Sequence, residues 1–414
     1  MPPVRFDNPF RPGAGHMPPY LAGRDDEAAE FCRLLQQGVV LQNLIVTGLR
    51  GVGKTVLLDT FRPLAQSERW LWVGSDVNET SSLTEQNLAI RLLTDLSVVT
   101  SSVVLPAPPK KSIGFGSVEL PGETVLGFEQ LATTFTNTPG LVLDKLRATL
   151  EMAWTLIVSS AASGDCPRGL VFAYDEAQNF GDHAAGNEYP LSILLDLFQS
   201  LQRKNIPFLL VMAGLPPLFP TLVEARTFAE RMFRVRFLER LTDEECRQAI
   251  LRPIAESNCP HPLDESLVET IVKESGGYPY FVQFICREVY DAAIRNAAEN
   301  RPLRVSVRDI VRKLDSDFFQ GRWAKATDRQ RELLRAISDV ETANEEFTIQ
   351  EIVTASKQSP HRSFSPSHVA QMLAKLCTSG LVYKNRHGRY SFAVPLFADF
   401  IRRQGGTGDT IAPG

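Results

Sequence analysis

Long apolar runs are missing from this chain of 414 residues. No stretch approaches the roughly eighteen uninterrupted apolar residues that a bilayer-crossing helix needs. The opening Met1-Pro2-Pro3-Val4-Arg5 also lacks the apolar core of a secretory signal, so a cytoplasmic protein with no membrane partner is expected. Cysteine is sparse. Cys32, Cys166, Cys246, Cys259, Cys286 and Cys377 lie far apart, form no CxxC pair and have no histidine at metal-ligand spacing. That pattern points to reduced, mostly buried thiols rather than to a disulfide framework or a zinc site. GxSxG and HExxH are absent, which sets aside the hydrolase chemistries those motifs carry. A strong excess of one charge is missing too: 44 Lys and Arg stand against 48 Asp and Glu, a net charge of -4. A surface coated in basic residues for bulk nucleic-acid coverage is therefore excluded, while a local basic module is not.

What is present is a globular composition, 43% apolar and 22% charged, long enough for more than one domain. After a Pro- and Gly-rich arm (residues 1–23), five apolar runs read as strands: Leu44-Ile45-Val46, Trp70 to Val73, Leu170 to Tyr174, Phe208 to Met212 and Val235-Arg236-Phe237. Helical spacing fills the gaps at Val56 to Leu64, Leu83 to Leu96, Leu141 to Ser159 and Leu191 to Gln202. Strand alternating with helix predicts an α/β domain, a three-layer parallel sheet over residues 1–240. From about 101 to 140 the composition turns to Ser, Thr, Pro and Gly, which reads as an insertion with a hairpin at Ile113 to Val118. Thr242-Asp243-Glu244-Glu245 has capping-box spacing and opens an all-helical segment over 241–300. A connecting helix (301–325) follows. Helices at Asp328 to Asp339, Thr348 to Ser356 and Ser365 to Ser379, then strands at Leu381 to Asn385 and Arg389 to Ala393, predict a winged helix over 326–403, with 404–414 a disordered tail. Residues 301–414 hold 18 Lys and Arg against 12 Asp and Glu, so the end of the chain carries the positive charge.

The chemistry sits in Gly48-Leu49-Arg50-Gly51-Val52-Gly53-Lys54-Thr55, a full GxxxxGKT between a strand and a helix. Gly48, Gly51 and Gly53 let backbone amides wrap phosphate oxygens without Cβ clashes, and the helix opening through Lys54, Thr55 and Val56 directs its positive end at them. Lys54 neutralises β and γ oxygens, Thr55 ligates Mg²⁺, and Arg50 and Val52 complete the loop. ATP with Mg²⁺ is the expected cofactor. The third strand ends in Asp175-Glu176. Asp175 would hold the metal and Glu176 would orient or deprotonate the attacking water; adjacent carboxylates after an apolar run also serve as helix caps.

These motifs resemble the P-loop ATPases of the AAA+ and STAND group. Gly23-Arg24-Asp25 is similar to the box that lines the adenine pocket, Gly48 to Thr55 to Walker A, Leu170 to Glu176 to Walker B, and Gly276-Gly277-Tyr278-Pro279 to the glycine–proline motif of the lid, whose proline faces adenine. The resemblance thus implies nucleotide contacts at Gly23, Arg24 and Pro279. With the C-terminal winged helix, the chain resembles archaeal origin-binding initiators. Gly214-Leu215-Pro216, Ala229 to Phe233 and Val394 to Phe397 are similar to bacterial ATP-binding proteins common in actinobacteria. Two departures stand out: Met212-Ala213-Gly214 has no Asn or Thr where sensor 1 would sit, and Tyr280 follows Pro279 where many relatives have the sensor 2 arginine. Arg231, then Arg226, is the candidate for a phosphate-sensing or subunit-bridging arginine; a solvated surface arginine is the other reading of each.

If the third winged helix enters a major groove of duplex DNA, Ser365, Ser367, His368, Gln371 and Lys375 are its polar positions, and Lys384, Arg386 and Arg389 are placed to track phosphates. Winged helices also dock proteins. Three functions follow: an ATP-dependent switch that hydrolyses slowly and controls the winged helix, an ATP-gated DNA-binding protein of initiator or transposition-helper type, and a nucleotide-bound scaffold that does not hydrolyse. Partners would be ATP or ADP, then duplex DNA, a protein or further copies of the chain.

Overall fold

The computed structural model describes residues 7–13, 15–105, 124–161, 166–257, 262–299, 305–358, 363–386 and 388–406. In chain order its elements begin with α1 (Asp25–Leu35), β1 (Asn43–Gly48), α2 (Lys54–Ser67), β2 (Trp70–Asp76) and α3 (Glu85–Thr100). Next come β3 (Val104–Leu105), β4 (Thr124–Val125), α4 (Phe128–Asn137), α5 (Val142–Ser160) and β5 (Gly169–Asp175). Then follow α6 (Pro190–Arg203), β6 (Phe208–Gly214), α7 (Leu218–Ala225), α8 (Ala229–Met232) and β7 (Phe233–Leu238). The helical stretch is α9 (Asp243–Glu256), α10 (Glu265–Ser275), α11 (Pro279–Ala298) and α12 (Val307–Leu314), continued through a π-helical turn (Asp315–Phe319) into α13 (Gln320–Ala324). Last are α14 (Asp328–Ser338), β8 (Phe347–Thr348), α15 (Ile349–Gln358), α16 (Pro366–Thr378), β9 (Val382–Arg386), β10 (Arg389–Phe392) and α17 (Phe397–Gly406).

Two compact units emerge. The first takes in the described residues of 26–47 and 57–237. Its sheet has the strand order β2-β5-β6-β1-β7, with β2/β5, β5/β6 and β1/β6 paired in parallel. Strands β1, β5 and β6 are buried along their whole length, as near-continuous apolar runs covered on both faces should be. Phe172 on β5 meets Phe198 on α6 edge-on at 5.2 Å, and α3, α5 and α6 complete that core. A buried carboxylate is built into it: Asp95 on α3 accepts from the Tyr174 hydroxyl at 3.0 Å and from Arg91 Nε at 3.1 Å. The predicted α/β fold with a parallel sheet is the one found. Of the 101–140 stretch, β3 and β4 pair antiparallel and α4 forms a helix whose Leu131 and Phe135 are buried; the hairpin expected at 113–118 lies outside the described residues.

The second unit takes in the described residues of 1–25, 48–56 and 238–414. The N-terminal arm is tied to α11: Asn8 Nδ2 donates to Asp291 Oδ1 at 2.8 Å, Arg287 donates to the Phe10 carbonyl at 2.9 Å, and Phe10 is fully buried against Tyr290. Thr242 and Glu245 form the capping box that opens α9. Helix α14, strand β8, helices α15 and α16, and strands β9 and β10 follow one another in the chain, and the three strands form a sheet in the order β8-β10-β9. Strand β8 and helix α17 add to the expected pattern, and α17 runs to Gly406. Phe319, Trp323, Phe397 and Phe400 join the π-helical turn, α13 and α17 into one aromatic core. Among the described residues no helix is long and apolar enough to cross a membrane.

Candidate functional site: a phosphate loop and an acidic strand end

The phosphate loop leaves β1 at Gly48 and enters α2 at Lys54. Gly51 (φ 81°) and Gly53 (φ 94°) adopt backbone conformations that side chains disfavour, and nothing lies within 4 Å of where a Gly53 Cβ would stand. At Gly48 a Cβ would come within 2.8 Å of the Leu238 carbonyl oxygen. Lys54 is buried and its Nζ donates to the carbonyls of Gly48 and Leu49, both at 2.9 Å, which curls the loop around the ammonium. The glycine conformations, the open face at Gly53 and the buried ammonium fit a nucleotide's phosphates.

Other residues named from the sequence gather on this loop. Gly23 takes φ 61°, and the buried Arg24 donates to the carbonyls of Gly23 (2.9 Å), Val52 (3.0 Å) and Glu239 (2.9 Å). Arg24 therefore braces the back of the loop. Thr55 and Val56 are half-buried, and Thr55 Cγ2 lies 3.3 Å from where a Gly15 Cβ would stand. Pro279 is the first residue of α11, and the next amide, that of Tyr280, donates to the Gly51 carbonyl at 3.2 Å. Arg50 is exposed and makes no hydrogen bond or ion pair among the described residues.

The acidic pair belongs to the sheet unit. Thr47 ends its run in β1 beside Gly214 of β6, and Asp175 ends β5, so both stand on the same edge of a parallel sheet. Asp175 is buried, and its Oδ1 accepts from the Glu176 amide at 2.7 Å. This turns Glu176 into the left-handed region (φ 50°, ψ 34°), which costs a non-glycine residue about 1 kcal/mol. The Glu176 carboxylate accepts from the side-chain amide of Gln178, whose Oε1 in turn accepts from the Leu215 amide at 3.0 Å. Gly214 makes room, since a Cβ there would stand 2.8 Å from Gln178 Oε1. Gln178 thus bridges Glu176 to the end of β6, the strand end that lacks its own polar side chain. Sequence reasoning missed it; the only signal was one amide two residues after Glu176.

The arginine candidates separate. Arg226 is held by Asp196 through Nε and Nη2 (3.0, 3.1 and 2.7 Å), and that carboxylate is what raises its pKa. Arg231, on α8, is exposed and has no side-chain partner among the described residues. In the C-terminal part, Ser367, Gln371 and Lys375 are exposed on α16 while Val369, Met372, Leu373 and Leu376 are buried. His368 is half-buried against Phe364. Lys384 is exposed on β9 and Arg389 opens β10; the Arg386 side chain lies outside what is described.

A family model described as a domain of unknown function, DUF8462, matches residues 316–401. No curated protein matches the chain. Among solved structures, the Walker-type ATPase of Pyrococcus abyssi is similar with a TM-score of 0.55 at 16% identity, over 92% of this chain and 96% of that one. The Aeropyrum pernix ORC2 protein in its ADP form is similar with a TM-score of 0.52 at 14% identity, over 95% and 97% of the two chains. The ORC2 structure with ADPNP and ADP gives 0.50 at 17% identity, over 96% and 98%. The chain therefore shares its fold with these proteins, the Walker-type ATPase of Pyrococcus abyssi and the ORC2 protein of Aeropyrum pernix.

Proposed function

We propose that this chain binds ATP at the phosphate loop, hydrolyses it slowly, and uses the difference between nucleotide states to control its C-terminal module. One observation carries the reading. The loop that would hold the phosphates is bonded through the Gly51 carbonyl to the amide of Tyr280, so a loop reshaped by nucleotide must act on the start of α11. We divide the chain accordingly into an ATPase domain (1–240), a helical lid (241–300), a connecting helix (301–325) and a winged helix (326–403). Lys54 would trade its two carbonyl partners for phosphate oxygens, and Arg24 would keep the loop in shape behind it. Thr55 and Asp175 would hold Mg²⁺, which supplies charge neutralisation between the phosphates. Glu176 would orient or deprotonate water, with Gln178 fixing its carboxylate. Binding of fluorescent ATP and ADP analogues to wild type and to Lys54→Ala tests this: loss of both in the variant is expected, and unchanged binding would sink the reading.

A second reading, ATP-gated binding of duplex DNA, is favoured by the exposed polar stripe of Ser367, Gln371 and Lys375 together with Lys384 and Arg389. Lys384→Ala with Arg389→Ala should weaken DNA binding and lower the salt slope by roughly two counterions. A duplex that binds with the same affinity and slope would remove this surface from consideration.

A further inference from the structure

We propose that Arg322, on the short helix α13, is a phosphate-sensing arginine of the nucleotide site, one that favours a triphosphate over a diphosphate. The inference rests on the reading of the loop as a nucleotide site and adds a residue from an element outside the nucleotide motifs. Tyr280, the second residue of α11, donates its backbone amide to the Gly51 carbonyl of the phosphate loop at 3.2 Å. Its Cβ lies 3.3 Å from where a Gly51 Cβ would stand, and its ring packs on Phe318 with centroids 5.1 Å apart. The Arg322 guanidinium lies on the same Phe318 ring, 4.3 Å from its centroid, and donates to the Phe318 carbonyl. A single aromatic ring therefore separates a half-buried guanidinium from the residue bonded to the phosphate loop.

Arg322 also lacks what a half-buried cation normally has. No carboxylate pairs with it among the described residues, nor with Arg50 in the loop. Burial lowers the Arg322 pKa, and the positive charge of Arg50 lowers it further. Two guanidinium groups that repel each other beside a loop shaped for phosphate form a site short of an anion. A γ-phosphate supplies charge and acceptor oxygens to both, whereas a diphosphate leaves the farther arginine unmet.

The placement has a consequence for signalling. Arg322 lies inside the segment 316–401 that matches one family model, and the surrounding rings tie it to that segment: Phe319 stacks on Phe400 at 5.2 Å, and Trp323 meets Phe400 edge-on at 6.3 Å. Arg403 adds a two-pronged ion pair to Asp315 at 2.8 and 2.6 Å. An arginine drawn to a γ-phosphate would pull on the helix that leads into the C-terminal module, with no lid arginine needed.

Equilibrium binding of fluorescent ATP and ADP analogues to the full chain tests this, using wild type, Lys54→Ala, Arg322→Met and Arg322→Lys. Methionine keeps an unbranched stem over Phe318 and removes the charge. Arg322→Met should weaken the ATP analogue about tenfold or more, the loss of one charge-assisted contact, and the ADP analogue by less than about threefold. Arg322→Lys should fall between, since it keeps charge but not the fork. If Arg322→Met does not fold, as judged by circular dichroism, Arg322→Lys carries the test alone, and an unchanged ATP-to-ADP ratio in it overturns the assignment. Equal loss of both nucleotides, or no loss, overturns it as well. A wild type that binds neither nucleotide defeats the loop reading and this inference together; binding that depends on Lys54 but ignores Arg322 defeats only the inference.

Discussion

Replacing Gln178 by alanine should separate the stability of the sheet unit from the chemistry proposed for Glu176. The side chain makes two hydrogen bonds, donating to the Glu176 carboxylate and accepting from the Leu215 amide at 3.0 Å. The first is charge-assisted and the second leaves a half-buried amide without its acceptor. Bonds to charged groups contribute about 1.5–3 kcal/mol and an orphaned donor costs about 1–3 kcal/mol, but water reaches both groups, so the lower end applies, about 1–2 kcal/mol in all. For a unit of this size that lowers Tm by roughly 2–8 °C. The functional effect is larger than the thermal one. Among the described residues the Glu176 carboxylate has no hydrogen-bond partner but Gln178, so Gln178→Ala should cut kcat for ATP about tenfold while leaving the Kd of ATP and ADP within a factor of two. Gln178→Glu, which sets two carboxylates against each other, should be slower still and should recover partly in acid. Differential scanning fluorimetry, analogue binding and steady-state phosphate release read the three quantities. Turnover equal to wild type in Gln178→Ala would refute a positioning role, and a parallel loss of binding and kcat would point to general disorder of the site instead.

Two further outcomes follow from buried groups. Arg24→Ala removes the donor to the Gly23, Val52 and Glu239 carbonyls, and is expected to destabilise the chain by about 2–4 kcal/mol and to weaken both nucleotides together; selective loss of one nucleotide would contradict a bracing role. Burial raises the Asp95 pKa against the opposing pull of Arg91 and the Tyr174 hydroxyl, and pushes the Tyr174 phenol well above its ordinary value. A carboxyl whose folded pKa exceeds its unfolded value contributes stability below the unfolded value and loses it as pH rises through the folded one. Relative to Asp95→Asn, wild type should therefore be favoured most near pH 4 and progressively less toward neutrality, as read by urea unfolding at several pH values; the opposite slope would mean that the Arg91 pairing outweighs burial.

The parts of the molecule legible in sequence are those set by local pattern. Strands β1, β5 and β6 announced themselves because a parallel strand buried on both faces is an unbroken apolar run, and GxxxxGKT because its glycines and lysine are fixed by backbone geometry. Strand β8, two residues long, carries no periodicity to detect, and its register with β10 is set by tertiary pairing. Gln178 and Arg322 were missed for a related reason. Each acts through partners brought near by folding, Leu215 at the end of β6 for one and the Tyr280–Phe318 stack for the other. Arg226 shows the converse: it stood out beside Arg231 in the sequence, yet Asp196, thirty residues away, already holds its guanidinium.

Tyr280 is where the resemblance and the geometry give opposite expectations. Were the chain merely short of a lid arginine, Tyr280→Arg would restore one and tighten ATP binding. The contacts argue against that. The Tyr280 ring packs on Phe318 at 5.1 Å and on Phe281 at 5.7 Å, and losing such aromatic pairs costs about 0.5–1.5 kcal/mol each beyond the buried area. An arginine there would put a third guanidinium beside Arg322 and Arg50, in surroundings where burial and like charge already lower the Arg322 pKa. Its backbone amide would still bond to Gly51, so the loop itself should survive. Tyr280→Arg is therefore expected to bind ATP no more tightly than wild type and to melt at lower temperature, while Tyr280→Phe, which keeps the stack, should match wild type in both. A Tyr280→Arg protein that gained ATP affinity without loss of stability would show that position 280 faces the phosphates directly, and would move the sensing role from α13 back to α11.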